Sequence, residues 1–256
     1  AQSYSCESST KNLVSVVIEM SGAGNRWSGK GGGFWNGRIY LAAFDPRTDS
    51  TRHPVVVFDE VGEMSGSDVE EEDYYLLWRP WTIDSFDRVV MAPYWGEYHL
   101  RYYDEYARLV QEVSFPFKHR KRTKDEINRR VNFLWGGVEP EQIGIKSIPS
   151  QHEAVVREIF PRQDGTIWVR TNKSAKCHSS GVLFEFDSIS PKGEMGDKVT
   201  ILGEGDGDLD RYFFGPRNKV VCIKNGEGFI RTARGKFPTD QSYELILEAY
   251  DLVEVQ

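Results

Sequence analysis

The sequence predicts an all-β fold built from a repeated unit. Four times along the 256-residue chain, a short apolar strand is followed by a second strand that ends in an aromatic residue and an aspartate. These endings are Phe58-Asp59, Tyr103-Asp104, Phe186-Asp187 and Tyr250-Asp251. A recurring unit of this kind indicates a repeat architecture. The composition agrees, because 13% aromatic residues and 24 glycines suit many short strands joined by tight turns.

The first two units cover residues 12–60 and 76–117. In the first unit, the alternation of apolar and polar residues from Leu13 to Met20 predicts a strand, and a glycine-rich loop follows it. In the second unit, Tyr98 to Asp104 alternates in the same way. Both segments are therefore expected to be half-buried strands.

The spacing lengthens between the second and third units, which indicates an insertion at residues 118–150. Thr123, with Glu126 three residues later, forms a capping box that marks the start of a helix. The apolar residues that then share one helix face are Ile127, Val131 and Leu134. The sequence therefore predicts an inserted amphipathic helix near residues 123–135.

The third and fourth units cover residues 154–202 and 211–256. Asp164-Gly165 predicts a hairpin turn in the third unit. The fourth unit ends in a long alternating strand, Tyr243 to Val255. We expect this strand to be paired, because a bare sheet edge invites aggregation.

Several stretches of the sequence carry a family resemblance. They are Asp164 to Thr171, Gly181 to Asp187, Gly203 to Asp206, and Tyr98 to Asp104 followed by Arg120 to Ile127. These stretches resemble bacterial six-bladed β-propeller proteins of the NHL-like type, and the likeness extends over residues 78–214. The resemblance implies a single β-propeller domain or propeller segment, residues 1–256, with about four blades that correspond to the four units.

The chain departs from that family in length. Two N-terminal blades of the family have no counterpart here. A self-closed four-bladed ring, a six-bladed ring completed by another chain, and a truncated product all remain open. We favour completion by a protein partner or a second copy, because an open arc would expose two sheet edges. The family has no established activity and no catalytic residues to carry over.

Charge and hydropathy narrow the class of protein. The net charge of −7 is spread over both signs, which argues against a general affinity for nucleic acid or anionic membranes. No stretch reaches the roughly 18–20 apolar residues needed to span a bilayer. The chain opens Ala1-Gln2-Ser3 without an apolar leader, as a mature chain does after removal of a signal peptide. Together with the mostly exported relatives, this predicts an extracellular or periplasmic protein.

The three cysteines, Cys6, Cys177 and Cys222, are too few for a disulfide scaffold or a metal knuckle. A Cys177–Cys222 bridge and buried free thiols both remain open. Asn172-Lys173-Ser174 is a glycosylation sequon, although such triplets also arise by chance.

Two loops carry incomplete ligand-binding motifs. Gly24 to Lys30 has the glycine and lysine spacing of a phosphate-binding loop, but Gly31 stands where Ser or Thr must hold magnesium. Asp206 to Asp210 spaces three carboxylates like the start of a calcium loop, but Arg211 occupies the place of the required glycine. We expect inter-strand loops and no cofactor, with calcium at the second loop as the alternative.

Two charged segments are predicted to be solvated and to face each other. Glu70-Glu71-Glu72 belongs to an acidic loop at residues 60–73, and Lys118 to Arg130 holds seven Lys and Arg residues. Few aromatic residues interleave with the basic ones, so we expect a solvated helix there rather than nucleic-acid binding.

The aromatic–aspartate pairs are interpreted as structural. Each aspartate is expected to accept hydrogen bonds from the turn that follows it. An active site needs its acid once or twice, whereas these carboxylates recur in every unit. Asp84 and Glu158 are the nearest candidates for carboxylates at a propeller axis.

Tyr94, Trp95 and Tyr98 are the candidate ligand-binding residues. Tyr94 and Trp95 lie in a predicted hairpin turn, where burial of a large ring is least assured. An aromatic loop at the face of a ring can stack on a sugar or peptide, or anchor a protein partner.

The leading hypothesis is an exported, non-enzymatic binding or assembly module that works through propeller loops and sheet edges. The alternative is a metal-dependent propeller hydrolase, lactonase or lyase, with carboxylates at the central axis. Propeller folds host both classes, so the fold alone does not separate them.

Overall fold

The computed structural model describes residues 3–6, 13–21, 35–45, 50–62, 68–72, 80–104, 106, 108–134, 146–173, 181–205, 210–214, 219–224, 226 and 246–253. Its strands up to residue 115 are β1 (Ser3–Cys6), β2 (Leu13–Ser21), β3 (Trp35–Asp45), β4 (Ser50–Gly62), β5 (Asp68–Glu70), β6 (Trp81–Ile83), β7 (Val89–Met91), β8 (Tyr98–Tyr103) and β9 (Leu109–Phe115). The helix α1 (Lys124–Leu134) follows. The later strands are β10 (Lys146–Ile148), β11 (Val156–Pro161), β12 (Ile167–Thr171), β13 (Val182–Ile189), β14 (Met195–Leu202), β15 (Arg211–Phe214), β16 (Lys219–Ile223) and β17 (Leu247–Asp251).

Most strands pair with their neighbours in sequence, in antiparallel sheets. The first sheet has the order β1-β2-β3-β4, the second β6-β7-β8-β9, the third β11-β12-β13-β14 and the fourth β15-β16-β17. Apart from these, β5 and β10 form a two-stranded parallel pair. The chain is therefore mostly β, as predicted. Of the long predicted terminal strand, β17 covers Leu247–Asp251, while residues 243–245 and 254–256 lie outside the described residues.

The predicted helix and its capping box are confirmed. α1 starts directly after Thr123, whose Oγ1 accepts a hydrogen bond from the Glu126 backbone N–H at 3.3 Å. In return, the Glu126 carboxylate accepts the Thr123 N–H at 2.8 Å. Two of the four N–H groups that a helix start leaves without partners are thus satisfied.

The second and third sheets share one hydrophobic core. From the second sheet and the residue that follows β7 it takes Val90, Ala92, Tyr98, Leu100 and Tyr102, and from the third sheet and the residue before β11 it takes Val155, Val156, Ile159, Ile167, Val169 and Ile189. β8 alternates strictly, so its even-numbered residues face this core and its odd-numbered residues face the other way. A backbone hydrogen bond from Val155 N–H to the Trp95 carbonyl, 2.9 Å long, joins the two sheets at one end.

The opposite face of the third sheet packs on the fourth sheet through aromatic rings. Phe214 contacts Phe160 and Phe186 edge-on, with centroid distances of 4.7 and 5.5 Å. Tyr212 contacts Phe184 in the same manner at 4.8 Å. Edge-to-face packing of this kind adds to the stabilisation from burying apolar area. The third sheet is therefore covered on both faces.

The register of the first sheet aligns apolar residues across three strands. Two neighbouring rows across β2, β3 and β4 are Ile18–Ile39–Phe58 and Val16–Leu41–Val56. Residues two apart along a strand lie on the same face, so the two rows are adjacent.

One turn recurs within the second sheet. Asp84 Oδ1 accepts the N–H groups of Phe86 and Arg88, each at 2.9 Å, and Arg88 Nε donates to Asp84 Oδ2 at 2.7 Å. Asp104 receives the same three hydrogen bonds from residues two and four positions later, at 2.9, 3.0 and 2.8 Å. An Asp with an Arg four residues later thus closes both turns.

Candidate functional site

The structure separates the three candidate ligand-binding aromatic residues. Tyr94 and Trp95 lie in the turn between β7 and β8, as predicted, whereas Tyr98 begins β8. Tyr94 is 39% exposed, and Tyr98 is only 3% exposed. Tyr94 contacts the odd-numbered side of β8, because its ring meets His99 at 5.2 Å and its hydroxyl accepts a hydrogen bond from Arg101 at 2.9 Å. Tyr98 lies on the even-numbered side, in the core.

Trp95 is half-buried between the turn and the basic segment. The Arg122 guanidinium lies 5.8 Å from the centre of the indole ring, within the range of a cation–π contact. The Trp95 backbone carbonyl accepts a hydrogen bond from the N–H of Val155, the residue before β11, which connects this turn to the third sheet. These contacts fix the turn that presents Tyr94.

Tyr98 lies at the base of a cleft between the second and third sheets. The cleft has a volume of about 140 Å³, and its lining residues are Tyr98, Phe115, Pro116, Phe117, Thr171, Lys173, Glu185, Asp187, Met195 and Lys198. The ring of Tyr98 packs edge-on against Phe115 and Phe117, with centroid distances of 5.1 and 5.9 Å. The third sheet supplies all the charged residues except Lys173, which follows β12.

Strand alternation explains why charged residues reach this cleft. Phe184 and Phe186 of β13 face the fourth sheet, so Glu185 and Asp187 face the second sheet. Lys198 of β14 stands opposite Asp187 in the register, and its ammonium lies 3.9 Å from the Glu185 carboxylate. The Lys173 ammonium lies over the Phe117 ring, 4.2 Å from its centre. Carboxylates thus occupy the middle of the cleft wall, with lysines on both sides.

The Tyr98 hydroxyl is buried and finds no hydrogen-bond partner of ordinary geometry. Burial raises the pKa of this phenol, and the nearby Asp187 carboxylate raises it further. The hydroxyl therefore stays protonated at neutral pH and keeps its capacity to donate a hydrogen bond.

The aromatic–aspartate pairs do not all have the predicted structural role. Asp104 accepts hydrogen bonds from the turn that follows it, as expected. Asp187 instead lies within β13 and lines the cleft, because this strand continues for two more residues. Asp59 lies within β4, opposite Arg38. The Asp251 carboxylate pairs with the Lys219 ammonium at 2.5 Å.

The acidic loop and the basic segment meet, as predicted, but Glu71 is not solvated. Its carboxylate is fully buried and binds both Arg122 and Arg130, the latter at 2.8 Å from Nε. The Ser150 N–H also donates to it at 3.0 Å. The expectation of a wholly solvated acidic run is therefore wrong for Glu71. A buried carboxylate needs such partners, since its desolvation is costly.

The two candidate axial carboxylates are both held by arginines. Asp84 is fully engaged by its turn and by Arg88. Glu158 pairs with Arg170, whose Nη1 lies 2.9 Å from the carboxylate. Within the part of the chain that the structure describes, no three His, Cys, Asp or Glu side chains are grouped so that they could hold a metal ion.

Several predicted motifs fall outside the described residues: Gly24 to Lys30, Asp206 to Leu209, and Cys177. Asp210 is described, and its carboxylate accepts hydrogen bonds from the Tyr212 hydroxyl and the Lys224 ammonium, both at 3.2 Å. Cys222 is a buried free thiol, which agrees with the second of the two interpretations of the cysteines.

The sequon asparagine is inside the protein. Asn172 is completely buried, and its Nδ2 donates a hydrogen bond to the Glu153 carbonyl at 3.1 Å. The nitrogen that would carry a glycan is therefore used in the interior of the fold.

One face of the fourth sheet is covered along β15 and β16, where it carries Phe214, Val220 and Cys222, while Tyr250 of β17 on the same face is exposed. On the other face the register aligns Phe213, Val221 and Ala249 in one row. The rows on either side of it are Arg211–Ile223–Leu247 and Lys219–Asp251. Phe213 is 52% exposed, Val221 39% and Leu247 60%. We call this surface the outer face of the fourth sheet.

None of the helices among the described residues combines the length and apolar character that crossing a membrane requires.

Comparison with known proteins gives distant structural similarity. No family model and no curated protein matches the sequence. Among solved structures, the chain is similar to a member of the DUF4221 family from Bacteroides vulgatus ATCC 8482, at 11% identity and a TM-score of 0.36, over 83% of this chain and 55% of that one. It is also similar to a protein of unknown function from Bacteroides caccae, at 11% identity and a TM-score of 0.24, over 80% of this chain and 64% of that one. The chain thus spans just over half to just under two thirds of the length of these two proteins, and the similarity assigns it to no family.

Proposed function

We propose that this chain is a non-enzymatic assembly module, which binds a β-sheet of a second copy through the outer face of the fourth sheet. The observation that carries the proposal is the row Phe213–Val221–Ala249, exposed on one face of a sheet whose other face is covered at Phe214, Val220 and Cys222. Arg211, Lys219 and Asp251 flank this row on the same face, and an apolar centre with a polar rim is typical of a protein–protein interface. The binding partner supplies the missing layer over this row.

The adjacency of the exposed apolar residues supports this role. Isolated apolar residues are common on protein surfaces and need no explanation. Here Phe213, Val221 and Leu247 are neighbours on three adjacent strands, and a contiguous patch of this kind marks an interaction site.

We assign the missing layer to the first sheet of the second copy. Its register aligns apolar residues across β2, β3 and β4, as the register of the fourth sheet does at Phe213, Val221 and Ala249. Because Phe213 and Leu247 remain exposed within a single chain, the complementary sheet is assigned to a second copy. Burial of both faces would be driven by the hydrophobic effect, in proportion to the apolar area removed from water.

We further infer that the sheets are blades of a β-propeller, of the NHL-like type that the sequence resembles. Successive sheets are antiparallel meanders, and the second, third and fourth pack face to face in chain order. Both features are typical of propeller blades. A second copy would then continue the ring beyond the fourth sheet.

The test is the mass of the native species by light scattering, for the wild type and for Phe213→Asp. We expect a wild-type species larger than the 29.3 kDa chain, and a monomer for the variant, because a charge on the outer face cannot be buried without a partner. Tyr106→Asp is the matched control, since Tyr106 is an exposed aromatic residue in a turn of the second sheet. A monomeric wild type at all concentrations, or an assembly that Phe213→Asp leaves intact, would contradict the proposal.

A further inference from the structure

We propose that the cleft between the second and third sheets binds a small zwitterion, an aliphatic α-amino acid, with its ammonium on Asp187 and its carboxylate on Lys173. The cleft uses residues of β8, β9, β13 and β14, and none from the outer face of the fourth sheet. This site is therefore independent of the assembly function proposed above.

The charges of the cleft select a ligand that carries both signs. Glu185 and Asp187 face the cleft from β13, and Lys173 and Lys198 flank them. A simple anion would be repelled by the two carboxylates, and a simple cation by the two lysines. A zwitterion can place each end against a group of opposite charge, so its two charges reinforce each other.

Two of the four charged side chains are available for this role. Lys198 is already near Glu185, at 3.9 Å. Lys173 and Asp187 form no ion pair with another described side chain; Lys173 rests on the Phe117 ring, and Asp187 lies near the Tyr98 hydroxyl. A partly enclosed charge without an ionic partner gains most from an incoming opposite charge.

The Tyr98 hydroxyl is the second, independent sign of a ligand. A buried hydroxyl without a well-formed hydrogen bond is costly, and native proteins rarely leave one so. The Tyr98 hydroxyl lies beside the Asp187 carboxylate but makes no hydrogen bond of ordinary geometry. A ligand ammonium bound to Asp187 would donate to the phenol oxygen, while the hydroxyl proton points to Asp187, so the oxygen and the proton each gain a partner.

The volume and the apolar walls limit the size of the ligand. An engineered cavity of about 150 Å³ in another protein holds one benzene molecule. The cleft, at about 140 Å³, has a similar volume but is open where Lys173 is exposed, so it holds the ammonium and side chain of a small amino acid while the carboxylate lies at the opening. Phe115, Pro116 and Met195 provide an apolar wall suited to a short aliphatic side chain. A nucleotide or an oligosaccharide is too large to be enclosed.

The test is titration calorimetry of the full chain with L-valine, isobutylamine and isobutyrate. The two analogues each keep the aliphatic group and a single charge. We expect L-valine to bind at least about tenfold more tightly than either analogue, since one lost charged contact typically costs that factor. Equal affinity for L-valine and one analogue, or no heat of binding with L-valine at millimolar concentrations, would overturn the proposal.

Three variants test which side chains contact the bound amino acid. Asp187→Asn and Lys173→Gln should each weaken L-valine binding by about tenfold or more, and Tyr98→Phe by a smaller factor with the ring packing retained. Lys192→Gln is the matched control, because Lys192 is an exposed lysine outside the cleft. Lys173 is itself exposed, so its variant keeps the fold and tests the site even if Asp187→Asn is destabilised. Unchanged affinity in Lys173→Gln would refute the assignment.

Discussion

Arg122 and Glu71 form a buried ion pair between residues 51 positions apart in the sequence. Arg122 Nη1 donates to Glu71 Oε2, and Nη2 donates to Oε1 at 3.0 Å. The two side chains are 5% and 0% exposed. Arg130 of α1 and the backbone of Ser150 complete the shell around the carboxylate. One glutamate thus ties the acidic loop to the helix and to the segment that follows β10.

Removal of this charge should destabilise the protein strongly. Glu71→Gln leaves the buried Arg122 guanidinium without its main counter-ion, and breaking a buried pair in this way costs about 3–5 kcal/mol. Urea unfolding followed by circular dichroism measures the loss in the free energy of unfolding. The neighbouring Glu70 is exposed, so Glu70→Gln is the control and should change the value by less than about 0.5 kcal/mol. Equal effects of the two variants would show that burial of Glu71 is not what matters.

The recurrent aspartate turn offers a matched pair of sites. Asp84 and Asp104 accept the same three hydrogen bonds, but the two ion pairs differ in exposure. The Asp84 carboxylate is fully buried and its partner Arg88 is mostly buried, whereas Asp104 is partly exposed and its partner Arg108 is largely exposed. Asp84→Asn should lower the free energy of unfolding by about 2–3 kcal/mol, because the charged hydrogen bond to Arg88 is lost in the interior. Asp104→Asn should cost clearly less, since water replaces the lost bonds. Chemical denaturation of both variants tests the order, and the reverse order would contradict it.

The buried phenol of Tyr102 should make the stability of the folded protein fall at alkaline pH. Burial raises the pKa of its phenol to about 12. The unfolded chain ionises this group near its ordinary value of about 10. The contribution of Tyr102 to stability is therefore complete below about pH 10 and is lost as the pH rises through about 12. Tyr102→Phe keeps the packed ring and removes this dependence, so its melting temperature should fall less than that of the wild type between pH 9 and 11. Tyr106→Phe, at an exposed tyrosine, is the control, and a parallel fall for all three proteins would disprove the assignment.

Alanine substitutions at two glycines distinguish the cost of backbone strain from the cost of a steric clash. Gly181 and Gly193 both have left-handed backbone angles, with φ of 93° and 85°. A Cβ atom at Gly181 would meet nothing within 4 Å, whereas one at Gly193 would collide with Val113 of the second sheet. Gly181→Ala should therefore cost about 1 kcal/mol for the backbone alone, and Gly193→Ala about 2–3 kcal/mol. Thermal unfolding of the two variants measures the difference, and similar costs would mean that the contact with Val113 relaxes freely.

Local patterns in the sequence predicted local structure well. The helix start needs only Thr123 and Glu126, three residues apart, and both hydrogen bonds of the capping box form. The hairpin turn at Asp164-Gly165 is also confirmed, with a 3.1 Å hydrogen bond from Gly165 N–H to the Arg162 carbonyl. In both cases the atoms that interact lie within one turn of chain, so their residue types are sufficient evidence.

Features that depend on two sheets could not be predicted in this way. Tyr98 and Asp187 lie in different sheets, and only the packing of these sheets brings them to one cleft. Asp187 follows a phenylalanine as Asp104 follows a tyrosine, yet β13 continues past Asp187 while β8 ends before Asp104. Strand length decides whether such an aspartate caps a turn or faces a cleft, and hydrogen bonding with the next strand sets that length. Only the alternation of β8 indicated part of this arrangement, because it places Tyr98 on the same, buried side of the strand as Leu100.

The parallel pairing of β5 with β10 closes the intervening chain into a long loop, which we call the excursion. Glu70 stands opposite Ile148, so residues 71–147, with the second sheet and α1, leave and return at neighbouring points. The entropy of loop closure grows only with the logarithm of loop length, and each doubling costs about 0.6 kcal/mol. Lengthening a loop inside the excursion therefore adds little to the cost of closing it, whereas shortening its strands removes residues of the core. Its closure joins residues far apart in sequence, which slows folding relative to hairpins. The connections between these elements can thus vary in length at small thermodynamic cost, while the elements themselves cannot.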